Sequence, residues 1–384
     1  MDNTKENKCI SFYGKHNISP VRQDISDFNR HLLRREKLFR TLGLPRILFS
    51  GKTVLEVGPG GGHNSLAFFE WGASVDFVEP NPKGQEGICE LLDEYNIVKE
   101  QWNLSRCRIE EYNTEKKYDV IVAEGFIPIL YNRSEVISKI VDLVKPGGII
   151  VVTCMDDLSF FFEVLKRTIG HRLLQKKKID SFEKKVEILC NAFSSHLKSL
   201  KSSSRLLEDW VTDIFLTPPI IGKILSIAEC VEEFGNKFVL LGTSPSMFTD
   251  YSWYKDVDYD LTKINSIQFH EKRHVLMMYD LEESVRTVES NRSLVKYAYE
   301  FRNLVGNVEH DLNEKNIKEI VEVLRNISTT TSEIDVRISD AINEGITLLL
   351  DEDLDESKIL NASKLAIAFG RGQQYVSLVK DVIT

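Results

Sequence analysis

No stretch of this 384-residue chain approaches the roughly 20 consecutive apolar residues that a bilayer-spanning helix needs, so no membrane span is expected. The opening MDNTKENKCI is polar and lacks the apolar centre of a secretory signal, and the chain reads as cytoplasmic. Cysteine is sparse: Cys9, Cys89, Cys107, Cys154, Cys190 and Cys230 are scattered without a CxxC pair. That spacing suggests neither a disulfide framework nor a zinc knuckle, and no metal is expected; the thiols read as reduced core residues. Proline is absent beyond residue 259. What is present, 42% hydrophobic and 28% charged residues with a mean hydropathy of −0.20, excludes disorder and fibrous repeats and allows two or three cores.

The net charge of −9 conceals a sorting along the chain. Residues 1–50 carry ten Lys/Arg against five Asp/Glu, residues 166–205 eleven against three, and residues 259–384 fifteen against twenty-two. Such segregation points to surfaces with different tasks, or to solvated helix faces that simply differ. A pI of about 5.6, and a basic run without interleaved aromatics, argue against a nucleic-acid partner.

Between Ser26 and Leu44 the residues Phe28, Leu32, Leu33, Leu38, Phe39 and Leu42 recur at helical spacing until Gly43 and Pro45 stop them, which predicts an amphipathic helix. Thr53–Val57 is a short apolar strand that runs into Gly58-Pro59-Gly60-Gly61-Gly62 and then a helical stretch from His63 to Trp71. A second strand, Ser74–Glu79, breaks at Pro80-Asn81-Pro82, and a helix follows near Glu86–Tyr95. Further strand-like runs lie at Arg106–Glu110, Asp119–Ala123 and Gly148–Thr153. Strands alternating with helices argue for an α/β fold with a parallel, doubly wound sheet. Residues 158–235 then read as helical, strand character returns at Lys237–Gly242, and from about 259 the chain reads as polar and helical to its last residue.

The informative segment is the glycine run straight after the first strand, with Glu79 ending the next. Glycines there let a ligand lie against the turn, and the following helix start offers free N–H groups. A carboxylate one strand over accepts both hydroxyls of a ribose, so an adenosine-containing cofactor suits this edge. The dinucleotide fingerprint GxGxxG fails, because its last position falls on His63 or Ser65, and no Gly-Lys-Ser/Thr follows the glycines.

These elements resemble the class I S-adenosylmethionine-dependent methyltransferase superfamily. Glu56, Gly58, Gly60 and Gly62 match its first motif, Glu79 its second acidic position, Tyr118–Glu124 its fourth-strand motif and Leu143–Gly148 the approach to its fifth strand. The resemblance covers residues 50–155 and implies a Rossmann-like seven-stranded sheet that binds S-adenosyl-L-methionine. Under it, Gly58, Gly60 and Gly62 admit the methionine part, Glu56 sits beneath the loop near the amino group, and Glu79 binds the ribose. Ile109 packs on the adenine, although Arg108 stands where the family often has an acid. The implied organisation is a helical lid segment at 1–49, the cofactor-binding core at 50–155, a basic helical insertion on the acceptor side at 156–236, a return to the sheet at 237–258 and an acidic helical C-terminal region at 259–384.

Methyl transfer needs the acceptor held in line with the donor, and an oxygen acceptor also needs a base. Glu124, after the fourth strand, and His63, on the loop, are the candidates. The Ala123-Glu124-Gly125-Phe126 sequence lacks the box used to methylate nucleobase amines. Tyr13 and His16 lie in an aromatic segment that either covers the cofactor or tethers the chain. The basic insertion would attract an anionic acceptor, a small molecule or glycan. Lys176-Lys177-Lys178 also reads as a solvated loop, Phe160–Phe162 as core or a stacking platform, Trp253-Tyr254 as a substrate wall or a cover for the sheet edge, and Gly370-Arg371-Gly372 as an anion site or an element that docks the acidic C-terminal helices on the core. Alternatives are an inactive cofactor-binding scaffold that recruits a protein partner, and a nucleotide-dependent oxidoreductase. A homo-oligomer is left open.

Overall fold

The computed structural model describes residues 8–19, 21–256 and 261–381, so the polar opening at residues 1–7 lies outside the described residues. Two compact units emerge. The first takes the chain up to Met155, Ile224–Phe269 and the stretch from Gln373; the second takes Asp156–Lys223 and His270–Gly372.

The first unit holds one seven-stranded sheet. Its strands are β1 (Thr53–Val57), β2 (Ser74–Val78), β3 (Trp102–Ser105), β4 (Tyr118–Ala123), β5 (Val144–Cys154), β6 (Phe238–Ser244) and β7 (Gln374–Lys380), in the order β3-β2-β1-β4-β5-β7-β6. The first five pair in parallel, while β7 runs antiparallel to both β5 and β6. Helices α1 (Lys8–His16), α2 (Phe28–Thr41), α3 (Leu66–Glu70), α4 (Pro82–Glu94) and α5 (Arg133–Leu143) accompany β1 to β5. α2 starts where the Asp27 side chain accepts the Arg30 N–H, and α4 where Asn81 accepts the Lys83 N–H ahead of Pro82.

One face of the sheet buries Val54, Phe77, Val122 and Val151 under α2, α3 and α4. Phe39, Phe49, Phe68 and Trp71 meet there with ring centroids 5.0 to 5.9 Å apart. Each such ring contributes about 2 kcal/mol by leaving water, enough to fix α2 against the sheet.

Two expectations about the sheet shift. β3 lies at 102–105 instead of 106–110, where Ile109–Glu111 forms a 3-10 turn. The end of the chain, read as helical, supplies β7; its alternating Tyr375, Ser377 and Val379 suit a strand, and β5 and β6 give it partners on both sides.

In the second unit, α6 (Phe161–Lys177), α7 (Phe182–Ser199) and α8 (Leu207–Val211) join α11 (Val288–Val308), α12 (Glu314–Thr331), α13 (Val336–Leu350), α14 (Glu356–Leu360) and α15 (Ser363–Ile367). The remaining helices are α9 (Ile227–Phe234), in the sheet unit, and α10 (Leu261–Lys272). Basic insertion and acidic C-terminal region are therefore one body, not two.

Charge joins them. Arg167 makes a bidentate pair with Glu309 at 2.7 Å, Lys177 pairs with Glu356 at 2.7 Å and Arg172 donates to the Leu312 carbonyl at 2.8 Å. Lys176 donates to the Glu352 carbonyl and Lys166 to the Ala368 carbonyl at 2.5 Å, while Arg205 pairs with Asp213 inside the insertion itself. Six of the eleven basic residues at 166–205 are thus engaged inside their own unit. Phe161 and Phe162 are buried, with Phe161 against Phe301, and belong to the core. Arg371 donates to the Leu281 carbonyl at 2.7 Å, while Gly370 presses so close to Ser159 that a Cβ would sit 2.0 Å from its carbonyl oxygen. The Gly-Arg-Gly segment docks within this unit.

Candidate functional site

β1, β2 and β4 end level, with Val57 opposite Val78 on one side and Ala123 on the other. Gly58, Glu79 and Glu124 therefore leave the sheet side by side, at the carboxyl edge where open α/β sheets bind ligands. The loop Gly58–Gly62 turns with positive φ at Gly58, Gly60 and Gly62. At Gly60, with φ of +59°, a Cβ would also lie 2.4 Å from Val21 Cγ2. Gly84 on α4 clears the other side: a Cβ there would stand 3.0 Å from the Gly60 carbonyl oxygen and 3.1 Å from Glu79 Cδ.

Glu79 is 4% exposed. Its Oε2 accepts the Gly60 N–H at 2.9 Å and its Oε1 accepts the Asn81 N–H at 2.8 Å. Burial pushes its pKa up to about 7 against the opposing pull of those N–H groups. A carboxylate offers about four acceptor positions, so roughly two remain for hydroxyl donors. Ile18, Ser19 and Val21 border this corner: Asn81 Nδ2 donates to the Ile18 carbonyl at 3.0 Å, and Ser19 and Val21 lie against Gly60. These contacts come from just beyond the aromatic Phe12–His16 segment, whose helix α1 contains no fully buried residue.

Beneath the loop, Glu56 is 3% exposed and its Oε2 has no hydrogen-bond partner. Burial first, then the Glu124 charge, push its pKa up to about 8; Ser65 and Arg35 oppose the rise.

Glu124 is held from three directions. Arg35 on α2 donates to Oε1 at 2.6 Å and to Oε2 at 3.2 Å, and Asn64 donates to Oε2 at 3.1 Å. The Tyr375 phenol on β7 lies against the pair, kept neutral by burial and by the Glu124 charge. Arg35 is itself buried, its guanidinium carbon 5.0 Å from the centre of the Phe39 ring.

His63 opens the 3-10 turn after the glycines, and its carbonyl receives the His31 Nε2–H at 3.1 Å. His31 is buried, which lowers its pKa to about 4 and keeps it neutral. Ile109 is buried just past β3. Glu56, the three glycines, Glu79, Glu124 and His63 thus gather at one edge, with Ile109 beyond the neighbouring strand. Arg35, Asn64, Gly84 and Tyr375 join them without having been singled out in the sequence. Trp253 and Tyr254 are 64% and 81% exposed and so do not cover the sheet edge.

A glycine turn, a buried acid on the adjoining strand and level strand ends form a candidate nucleoside-cofactor site on a Rossmann-like sheet. Residues 28–199 match the family model described as "Methyltransferase domain". That match takes in α2, the glycine loop and β1 to β5, and runs on through α6 and α7, so this part of the chain is similar to a methyltransferase domain. Over 156 residues the chain is 24% identical to the ubiquinone biosynthesis O-methyltransferase of Rickettsia akari (strain Hartford), covering 39% of this chain and 54% of that protein. The chain therefore spans about half the length of the curated relative it matches. Among solved structures it is similar to N-methyltransferase NodS from Bradyrhizobium japonicum WM9 in complex with S-adenosyl-L-homocysteine, at 16% identity, 40% of this chain, 75% of that one and a TM-score of 0.31. It is also similar to magnesium protoporphyrin IX methyltransferase from Synechocystis PCC 6803 with bound SAM, at 16% identity, 40% of this chain, 78% of that one and a TM-score of 0.32.

Proposed function

We propose that this chain transfers the methyl group of S-adenosyl-L-methionine to a small-molecule or glycan-type acceptor, at an oxygen atom. The observation that carries the reading is the buried Glu79 carboxylate, which caps the glycine loop and retains acceptor capacity for two ribose hydroxyls. The partnerless Glu56 oxygen under the same loop also fits, because it asks for a cationic donor such as an α-ammonium group.

The sulfonium of the bound cofactor supplies an already activated methyl group. The protein's own residues then bind and orient. Glycines 58, 60 and 62 bring backbone close to the methionine part, Glu79 holds the ribose, and Ile109 packs on the adenine. Both oxygens of Glu124 already receive N–H donors, so its task is to hold Arg35 in place, and His63 is left as the group to take an acceptor's proton. Support for an anionic acceptor comes from charge alone: residues 166–205 carry eleven Lys/Arg against three Asp/Glu.

Incubation with methyl-labelled S-adenosylmethionine and a panel of small hydroxylated acceptors tests the reading. A labelled product that disappears in His63→Ala supports it. Binding of cofactor without turnover on any acceptor would move the assignment to the scaffold that recruits a protein partner.

A further inference from the structure

Charge does not balance around Glu56. Facing it are Glu124 at the end of β4, Ser65 at the start of α3, Arg35 on α2 and Glu79 at the end of β2. Tyr375 on β7 and the two histidines His31 and His63 border the same group through Arg35 and Glu124. Tyr375 is held neutral, and so is His31. Two carboxylates, Glu56 and Glu124, thus share the Arg35 guanidinium, and that guanidinium is already committed to Glu124 by two hydrogen bonds.

Glu56 is the one left over. Its Oε2 meets no donor, and the residue is 3% exposed. A buried carboxylate in that position costs several kcal/mol if ionised, and a proton is the simplest remedy.

Resting on the cofactor reading above, we propose that Glu56 carries a proton while the site is empty and gives it up to solvent when the cofactor's ammonium arrives. Only the Glu56 O–H bond breaks, the proton passes to buffer, and the new carboxylate takes the ammonium as its counter-charge. Cofactor capture is then a proton exchange. The direction in which burial and Glu124 push Glu56, up to about 8, agrees with a neutral acid in the empty site near pH 7. Glu79, itself pushed up to about 7, adds a smaller release of its own. Affinity strengthens with rising pH by up to about tenfold per unit from pH 6 to 7.5.

Calorimetry of S-adenosylhomocysteine binding at pH 7, run in phosphate and in Tris, reads the exchange directly, because the two buffers absorb a proton with different heats. The wild type releases close to one proton or more per site, and Glu56→Gln loses about 0.9 of it. The amide imitates the protonated acid, so this variant keeps the empty fold and still binds, about tenfold more weakly. Identical heats in both buffers, or a release undiminished in Glu56→Gln, would overturn the proposal. So would a wild-type affinity that stays flat from pH 6 to 7.5, a measurement that needs no variant. If S-adenosylhomocysteine fails to bind the wild type at all, the cofactor reading itself falls, which is a separate result.

Discussion

The two units handle buried charge in opposite ways. In the helical unit each buried ion finds a partner: Arg273 with Asp156 at 2.6 Å, Arg302 with Asp157 at 2.7 Å and Arg167 with Glu309 at 2.7 Å. Glu163, whose Oε2 lacks a hydrogen bond, lies beside Lys166, and burial pushes the acid's pKa up and the amine's down, so this pair leans toward neutrality. At the carboxyl edge of the sheet unit, by contrast, Glu56 and Glu124 share Arg35, which bonds Glu124 alone, and one Glu56 oxygen stays without a donor. Paired ions hold helices together, whereas an unpaired buried acid is tolerated where a ligand completes it.

Breaking a pair in the helical unit should produce the largest effect. Arg167→Met strips the buried Glu309 of its bidentate partner and leaves it only the His171 ring at 3.8 Å, and the expected loss is about 3–5 kcal/mol of unfolding free energy in urea titration. Affinity of the surviving folded protein for S-adenosylhomocysteine should stay unchanged.

The unbalanced edge should respond in the other direction. The folded-state pKa of Glu56, about 8, lies above its ordinary value of 4.5, so its contribution to stability is full below pH 4.5 and is lost as pH rises toward 8. Glu56→Gln removes that loss. Relative to the wild type it should gain about 2 kcal/mol between pH 6.5 and 8 in the absence of cofactor, measured from urea midpoints at each pH. A constant difference across that range would mean that Glu56 is already ionised in the empty protein.

Exposed pairs in the same helical unit set the floor of the comparison. Lys315 and Glu319 on α12 approach to 3.9 Å with side chains 83% and 50% exposed. Lys315→Ala should shift neither the urea midpoint nor cofactor affinity measurably.

Much of this could be read from the chain beforehand, for physical reasons. Strands β1, β2, β4 and β5 are short apolar runs bounded by glycine or proline, and the glycine loop with Glu79 is a local pattern of fixed spacing. β7 escaped because its character comes from β5 and β6, more than 100 residues away in the chain, and it follows a long helical stretch. Arg35 and Tyr375 escaped for the same reason, being joined to Glu124 only by folding. One signal for Arg35 was present. It interrupts the apolar stripe Phe28, Leu32, Phe39 and Leu42 of α2, and a cation on a buried face calls for an anion opposite. Likewise, the opposite charges of 166–205 and 259–384 were visible as a difference between surfaces, when they in fact bind the two segments into one unit.

The most direct test of the account is the affinity of S-adenosylhomocysteine for the wild type and for Glu79→Ala, measured at pH 7.5 by equilibrium titration. Replacement of the carboxylate proposed to meet the ribose should weaken binding by at least about tenfold, the worth of one or two charge-assisted hydrogen bonds. Equal affinities for the two proteins, or no binding by the wild type, would contradict it.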